Sequence, residues 1–423
     1  MTSPFTLRPL PVWPDPADVF CAVAADHADV FWLDAGPDAD SGCSWVGWGE
    51  AEAPEVVHAA RCAGDERAAG VDRFTAGWVG WIGYEAGAAR AGAPVTADDP
   101  VVPAERWLRV RGLVAFDHET GHAWLAGEID LGAAAPARME ASSPGLTARS
   151  RDDPGAYAEM IGRCREAIRA GDAYQLCLTT RFDVVGEIDP IDAYLRLRAD
   201  SPTHHGGVIR SGGVALLSAS PERFVEVHGR SLRTRPIKGT RPRGADDADD
   251  AAQAAELLAS VKERAENIMI VDLMRNDLAR VCEPGTVRVE RLLEVESYPA
   301  VHQLVSTVSG RLPQAATVGE VLDGVFPAGS MTGAPKLSAM TLLHGIETGP
   351  RGVYAGCFGW VGADGGLDLA MVIRSILVHP GGAYVGAGGG ITWRSDAAAE
   401  VAEVGLKARA PLAALGAAVP PGW

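Results

Sequence analysis

Strand-like and helical stretches follow one another in this chain without a regular strand–helix–strand period, and that irregularity restricts the fold more than any single residue does. A doubly wound parallel sheet needs the alternation; mixed runs of strands and helices point to the α+β class. Residues 78–85 (WVGWIGYE) and 108–117 (LRVRGLVAFD) are rich in β-branched and aromatic residues and read as strands, so residues 1–131 form a first region of strands and turns. Residues 132–153 are small, polar and Pro-bearing, the composition of a surface linker. From Pro154 apolar residues recur near helical spacing until Gly171, and the strand-like runs QLCLTTRFDV, GVALLSA and RFVEVHG follow. One long helix is predicted over 246–281, opened by acidic residues that suit a helix N-terminus, with Leu257, Val261, Ala265 and Ile268 as its apolar stripe. The last third alternates Gly-rich turns with strands and closes in a helix from Ser395. Residues 154–415 thus make a second region and 416–423 a tail.

Charge and composition remove several classes of function. A net charge of −17 argues against nucleic-acid binding, which needs a clustered basic face. Seven cysteines, scattered and without a CxxC, support neither a disulfide framework nor a zinc site, and a reducing cytoplasm is the expected compartment. No apolar run approaches the roughly 20 residues of a membrane-spanning helix, and the Pro-rich start lacks the apolar stretch of a signal peptide. Of 38 basic residues only four are lysine (Lys238, Lys262, Lys336 and Lys407). Arginine stays charged, whereas lysine can give up its proton, so these four positions as a set lean toward function.

Four segments could carry chemistry. Glu263 and Glu266 share one helix face, as do Glu400 and Glu403 behind a Ser395–Asp396 cap, and two such pairs facing each other could hold Mg²⁺. Spacing alone favours solvated faces, and Glu52 and Glu55 repeat the interval in an ordinary stretch. The run Gly386–Ala387–Gly388–Gly389–Gly390 either grips a carboxylate through its amides or lets backbone pass closely. It is no dinucleotide fingerprint, since Ile391–Arg394 intervene before any helix. Gly329–Lys336 (GSMTGAPK) resembles a phosphate loop but is too short, and Leu337 replaces the hydroxyl such loops need. In Arg235–Arg243 (RPIKGTRPR) the arginines surround Lys238; they either depress its pKa and free a nucleophilic amine or form a solvated basic loop.

Taken together these segments resemble the chorismate-utilising enzymes, which include anthranilate, aminodeoxychorismate, isochorismate and salicylate synthases. GDAYQLCLTTRF, SASPERF, RPIKGTRPRG, SVKERAENIMIVDLMRNDLARV, FPAGSMTGAPKLSAM, LDLAMVIRSI and GAGGGITWRSD carry the resemblance across 154–415, and WVGWIGYE and LVAFDHETG extend it toward the start. The resemblance implies a fold like that of anthranilate synthase component I, with two large β-sheets and helices outside.

By the same resemblance Mg²⁺ is held by Glu266 and Glu403 with Glu263 and Glu400 nearby, and it binds the ring carboxylate of chorismate. Tyr354, Arg374, Gly388 and Gly390 bind the other carboxylate, with Gly239, Thr240, Thr332 and Lys407 as further substrate contacts. His302 lies near the C4 hydroxyl and Glu222 protonates it. Gln175 stands where the isochorismate and salicylate synthases place a lysine base, which argues against water as nucleophile. Lys238 stands where anthranilate synthases usually carry alanine and aminodeoxychorismate synthases lysine. The expected reaction is amination of chorismate at C4 on the route to 4-aminobenzoate and folate, with anthranilate synthase component I as the alternative. A binding homologue without activity is disfavoured because each catalytic position holds a competent residue. Phe31–Ala35 departs from the LLES motif that serves tryptophan feedback. No cysteine sits in a nucleophile-elbow context, so a separate glutamine amidotransferase partner is expected to supply ammonia.

Overall fold

The protein is described by a computed structural model covering residues 5–62, 74–97, 101–129, 131, 145–298 and 301–423. Two large antiparallel sheets share one long strand, Glu105–Asp117. Along one edge of this strand runs Cys43–Glu52, followed outward by Val30–Asp34, His205–Ser211, Val214–Ser220, Ser375–His379, Gly382–Ile391 and Gln175–Val185. The first half of its other edge pairs with Gly77–Ile82, and from there the second sheet continues through Cys357–Gly362, Leu367–Met371, Arg223–His228, Ser231–Thr234 and Val301–Arg311. One apolar core joins Phe31, Ile209 and Leu377 of the first sheet to Trp81, Phe358 and Ala370 of the second. The helices Pro16–Asp26, Pro154–Ala170, Pro190–Asp200 and Ala397–Ala414 cover the first sheet; Val261–Ala279 and Val318–Val325 pack on the second. The α+β class and its helical exterior follow the sequence reading.

Three local expectations change. The helix expected over 246–281 is two helices, Asp247–Ala259 and Val261–Ala279, divided at Ser260. Ser260 ends the first in extended backbone and caps the second, its hydroxyl accepting from the Glu263 amide. The break restarts the helical phase. Leu257 is fully buried, but Val261 is 80% exposed, and the second helix instead buries Asn267, Ile270, Val271, Met274, Asp277 and Leu278. Second, LDLAMVIRSILV, which reads as one of the strands of the last third, is two strands separated at Arg374, whose φ of 52° turns the chain. Third, the end of the expected linker is a strand: Leu146–Ser150 pairs with Gln175–Val185 and, in parallel, with Ala417–Ala418. Residues 132–144 of that linker lie outside the described residues. The expected tail is docked, because the Trp423 ring packs against Tyr157 and Phe182. All seven cysteines are free thiols, and among the described residues no helix is long and apolar enough to cross a membrane.

Candidate active site

Three of the four segments singled out from sequence converge on a cavity of about 220 Å³ lined by strands of both sheets and by Lys407 of the last helix. Glu222, Lys238, Gly239, Thr240, Tyr354, Arg374, Gly388, Gly390 and Lys407 all line it. Two larger cavities, of about 700 and 930 Å³, contain none of the catalytic, substrate or metal candidates.

Lys238 lies on the strand Ile237–Pro242, whose pairing with Val301–Arg311 slips between Ile237 and Thr240. Such a bulge re-aims a side chain, here the amine of Lys238. Gly239 makes it possible: its φ is +84°, and an added Cβ would lie 2.8 Å from Leu257 and 3.0 Å from Glu263. The Glu263 helix can therefore pass directly behind the lysine. The arginines of the motif do not crowd that lysine. Arg235 pairs with Glu296, Arg241 with Glu256, and Arg243 with Asp250 at 2.7 Å. The expected cationic cluster is thus a set of neutralised pairs.

Glu222 brings a carboxyl to the cavity wall. Burial pushes its carboxyl above the usual range, and Lys238, the Ser330 hydroxyl and Lys407 only partly offset that. Ser330 Oγ donates to Glu222 Oε1 at 3.4 Å. Ser330 was missed in sequence although it lies inside GSMTGAPK, because a turn shows only some of its hydroxyls to a ligand. Thr332, expected there instead, is fully buried, and its hydroxyl donates back to Ala328 O at 3.1 Å. Lys336 leaves the cavity too: its Nζ is 2.8 Å from Asp277 Oδ2, where both groups are buried.

The glycine run is the interior of a strand. Residues 382–391 pair with Gln175–Val185 throughout, whereas Ser375–His379 covers only 382–385 on the other edge. From Gly386 onward that second edge faces the cavity. Lys407 Nζ donates to Gly388 O at 2.8 Å, and in a strand a residue's N–H points to the same edge as its carbonyl. The small side chains are demanded locally: a Cβ on Gly386 would sit 2.2 Å from Tyr354 Cγ, and one on Gly390 2.3 Å from Gln175 Nε2. The close-approach reading of the run holds, and the Gly388 N–H lies on the edge that faces the cavity. Arg374, strained at positive φ, places its guanidinium on the same wall without a hydrogen bond among the described residues.

The four glutamates do not line the cavity, but each is close to a residue that does: Glu263 lies behind Gly239, Glu400 beside Gly389, Glu403 pairs with Lys407, and Glu266 feels the charge of Lys238. Burial raises the Glu266 carboxyl, with Glu263 and Glu403 adding to the rise and Lys238 and Lys262 opposing it. Burial also raises Glu400. In Glu403 burial is outweighed by Lys407, 2.8 Å away, and by Lys262 and Lys238, so this carboxyl stays below its ordinary range. Among the described residues no three His, Cys, Asp or Glu side chains close on one point. Oxygen donors on two facing helices fit Mg²⁺ nonetheless, since that ion takes one or two carboxylates and fills its octahedron with water and substrate oxygens.

His302 does not reach the cavity. It is 1% exposed, with Nε2 3.0 Å from Asp250 Oδ1 and Nδ1 2.8 Å from Ser297 Oγ. Strand residues alternate between faces, so the neighbour, Gln303, takes the cavity side opposite Thr240. The register of a bulged pairing decides which of the two faces in, and sequence spacing does not carry it. Gln175 is buried against Gly390 and does not line the cavity.

The family model described as chorismate binding enzyme matches residues 13–413. An aminodeoxychorismate synthase of Streptomyces pristinaespiralis is 41% identical over 81% of this chain, which spans about half (51%) of that relative's length. Aminodeoxychorismate synthase component 1 of Klebsiella aerogenes is 38% identical over 78% of this chain and 75% of its own. Anthranilate synthase component 1 of Streptomyces coelicolor is 41% identical over 82% and 74%. The crystal structure of anthranilate synthase component I from Streptococcus pneumoniae superposes with a TM-score of 0.74 at 27% identity, covering 96% of this chain and 92% of that one. With a family match over nearly the whole length, and with the segments that match carried on one cavity, the chain belongs to the chorismate binding enzymes.

Proposed function

We propose that this chain aminates chorismate at C4 with ammonia, giving 4-amino-4-deoxychorismate through a covalent intermediate on Lys238. The observation that carries the reading is a primary amine and a carboxyl whose pKa burial raises, Lys238 and Glu222, on the walls of one cavity. Amination at C4 with retention is difficult in one displacement, because ammonia would enter on the face the hydroxyl leaves. Two displacements resolve this. The Lys238 amine forms a bond to C2, the ring double bonds shift, and the C4–O bond breaks as Glu222 gives its proton to the departing hydroxyl. Ammonia then forms a bond to C4, the double bonds shift back, and the C2–N bond to Lys238 breaks. Covalent catalysis of this kind replaces one hard step by two easier ones.

The remaining residues position the substrate. Arg374 and the Gly388 amide take the enolpyruvyl carboxylate, with Tyr354 and the Gly386–Gly390 backbone shaping its slot. Mg²⁺, held by Glu266 and Glu403 with Glu263 and Glu400 close by, supplies charge neutralisation for the ring carboxylate. Lys407, already between Glu403 and Gly388 O, keeps these two subsites together. In this reading a glutamine amidotransferase supplies the ammonia as a second component, and the name component 1 of the Klebsiella aerogenes relative supports there being one.

The purified chain incubated with chorismate, Mg²⁺ and ammonium is expected to release 4-amino-4-deoxychorismate, and to stop when chelator is in excess. With ammonium withheld, peptide mass spectrometry is expected to find a ring adduct on Lys238, and Lys238→Ala to lose both adduct and product. Release of anthranilate and pyruvate with Lys238 unmodified would assign the chain to the reaction of its anthranilate synthase relatives instead.

A further inference from the structure

Gln303 is 7% exposed and forms part of the cavity wall, yet its Oε1 is buried without a hydrogen-bond donor in the protein. An acceptor left unmatched inside a protein costs free energy, and native structures keep such groups where a ligand or a function answers them. Its neighbours narrow what the answering group is. Gln303 faces Thr240 across the bulged strand pair that aims Lys238, and Glu222 and Ser330 line the same cavity. The terminal torsion of glutamine is soft, so the carboxamide can turn its oxygen toward a bound molecule without moving the strand. A carboxamide is neutral at every working pH and takes no proton, so its contribution is orientation.

We infer that Gln303 is the positioning residue for the leaving hydroxyl: its Oε1 accepts the C4 O–H of chorismate while Glu222 donates to the oxygen of that same hydroxyl. The inference rests on the C4 amination reading and deepens it. The two contacts divide one hydroxyl between them. Glu222 must point its proton at an oxygen lone pair, and a hydroxyl free to rotate would present its own hydrogen to Glu222 part of the time. An acceptor on the other side fixes the rotor and leaves the lone pair facing the acid. His302, locked to Asp250 and Ser297 on the opposite face of the strand, is the scaffold of this arrangement and touches no substrate.

The test compares affinities in the absence of ammonium, on a Lys238→Ala background where no adduct forms, for chorismate and for its analogue with hydrogen in place of the C4 hydroxyl. On this background the proteins keep Gln303, here termed wild type, or carry Gln303→Met, Gln303→Leu or Gln303→His, each with its thermal unfolding recorded. The wild type is expected to prefer chorismate by about tenfold, the worth of a matched buried acceptor. Gln303→Met, which keeps length but has no good acceptor, is expected to lose most of that preference and keep only the share that the Glu222 contact supplies, and Gln303→Leu gives the same readout if Met disturbs the fold. Gln303→His, which restores a ring-nitrogen acceptor, is expected to recover most of the preference. A wild-type preference that survives undiminished in folded Met or Leu variants overturns the assignment of Gln303 and leaves the cavity reading standing. No saturable binding of chorismate to the wild type overturns both.

Discussion

Two carboxyl-bearing residues in the cavity region are driven in opposite directions by their surroundings, Glu222 above its ordinary range and Glu403 below it. That separation fits their proposed work, since an acid has to carry a proton and a metal ligand must not. The pH consequence has a definite sign. Glu222 acts when protonated, so turnover falls as pH rises through its elevated pKa. The Ser330 hydroxyl stabilises the ionised form, and Ser330→Ala should therefore move this alkaline limb to higher pH. A pH profile of kcat on both proteins checks it, and an unmoved limb would separate Ser330 from the acid. At this scale the sequence was partly legible. Glu222, Lys238, Arg374 and Tyr354 stand in segments distinctive enough to pick out. Gln303 and Ser330 were hidden because inward direction depends on a bulged register and on the path of a tight turn, neither of which leaves a compositional trace.

Among the elements, the helix Val261–Ala279 matters most, since it carries Glu263 and Glu266 at one end and Asp277 at the other. Asp277 is buried, and burial pushes its carboxyl up to about 6 despite Lys336 beside it. Lys336 opens the helix Lys336–Ile346 after the turn that holds Ser330, so the ion pair straps the helix that carries Glu263 and Glu266 to the wall of the cavity. Removing one partner of a buried pair costs about 3–5 kcal/mol. Lys336→Met should lose roughly that amount in urea unfolding, and more at pH 8 than at pH 5. The sign follows from Asp277: Lys336 lowers that carboxyl's pKa, so without Lys336 the folded pKa rises further above the unfolded value, and the variant's stability falls more steeply than the parent's as pH rises. Replacing Asp277 by leucine as well should recover most of the loss. Element types were readable from periodicity, and Gly171 closes its helix as expected with φ at 90°. The division at Ser260 was not, because the acidic and alanine-rich stretch on one side and the glutamate-bearing stretch on the other are both good helix formers. A single serine turned to capping decides the break.

For the molecule as a whole, the two regions read from sequence as 1–131 and 154–415 contribute neighbouring strands to both sheets. Val30–Asp34 lies beside His205–Ser211, and Gly77–Ile82 beside Cys357–Gly362. The α+β class was legible from irregular alternation, but long-range pairing was not, since strand partners far apart in sequence carry no local signal. The shared sheets bear on how the protein is made. Ile82 pairs with Cys357, a residue 275 positions further on (357 − 82), so at about 5–20 residues per second the strand waits on the order of 15–55 s for its neighbour to leave the ribosome. For that interval the edge of Gly77–Ile82, with Trp78 and Trp81 on it, has no partner. Ribosome-bound chains arrested before residue 350 should show this strand open to protease, and chains arrested well beyond residue 423 should show it closed; protection in the short chains would mean that another segment covers the edge first. Synthesis of this fold thus ends, rather than begins, with its first sheet edges being sealed, and a cell that makes it in quantity has to shield them meanwhile.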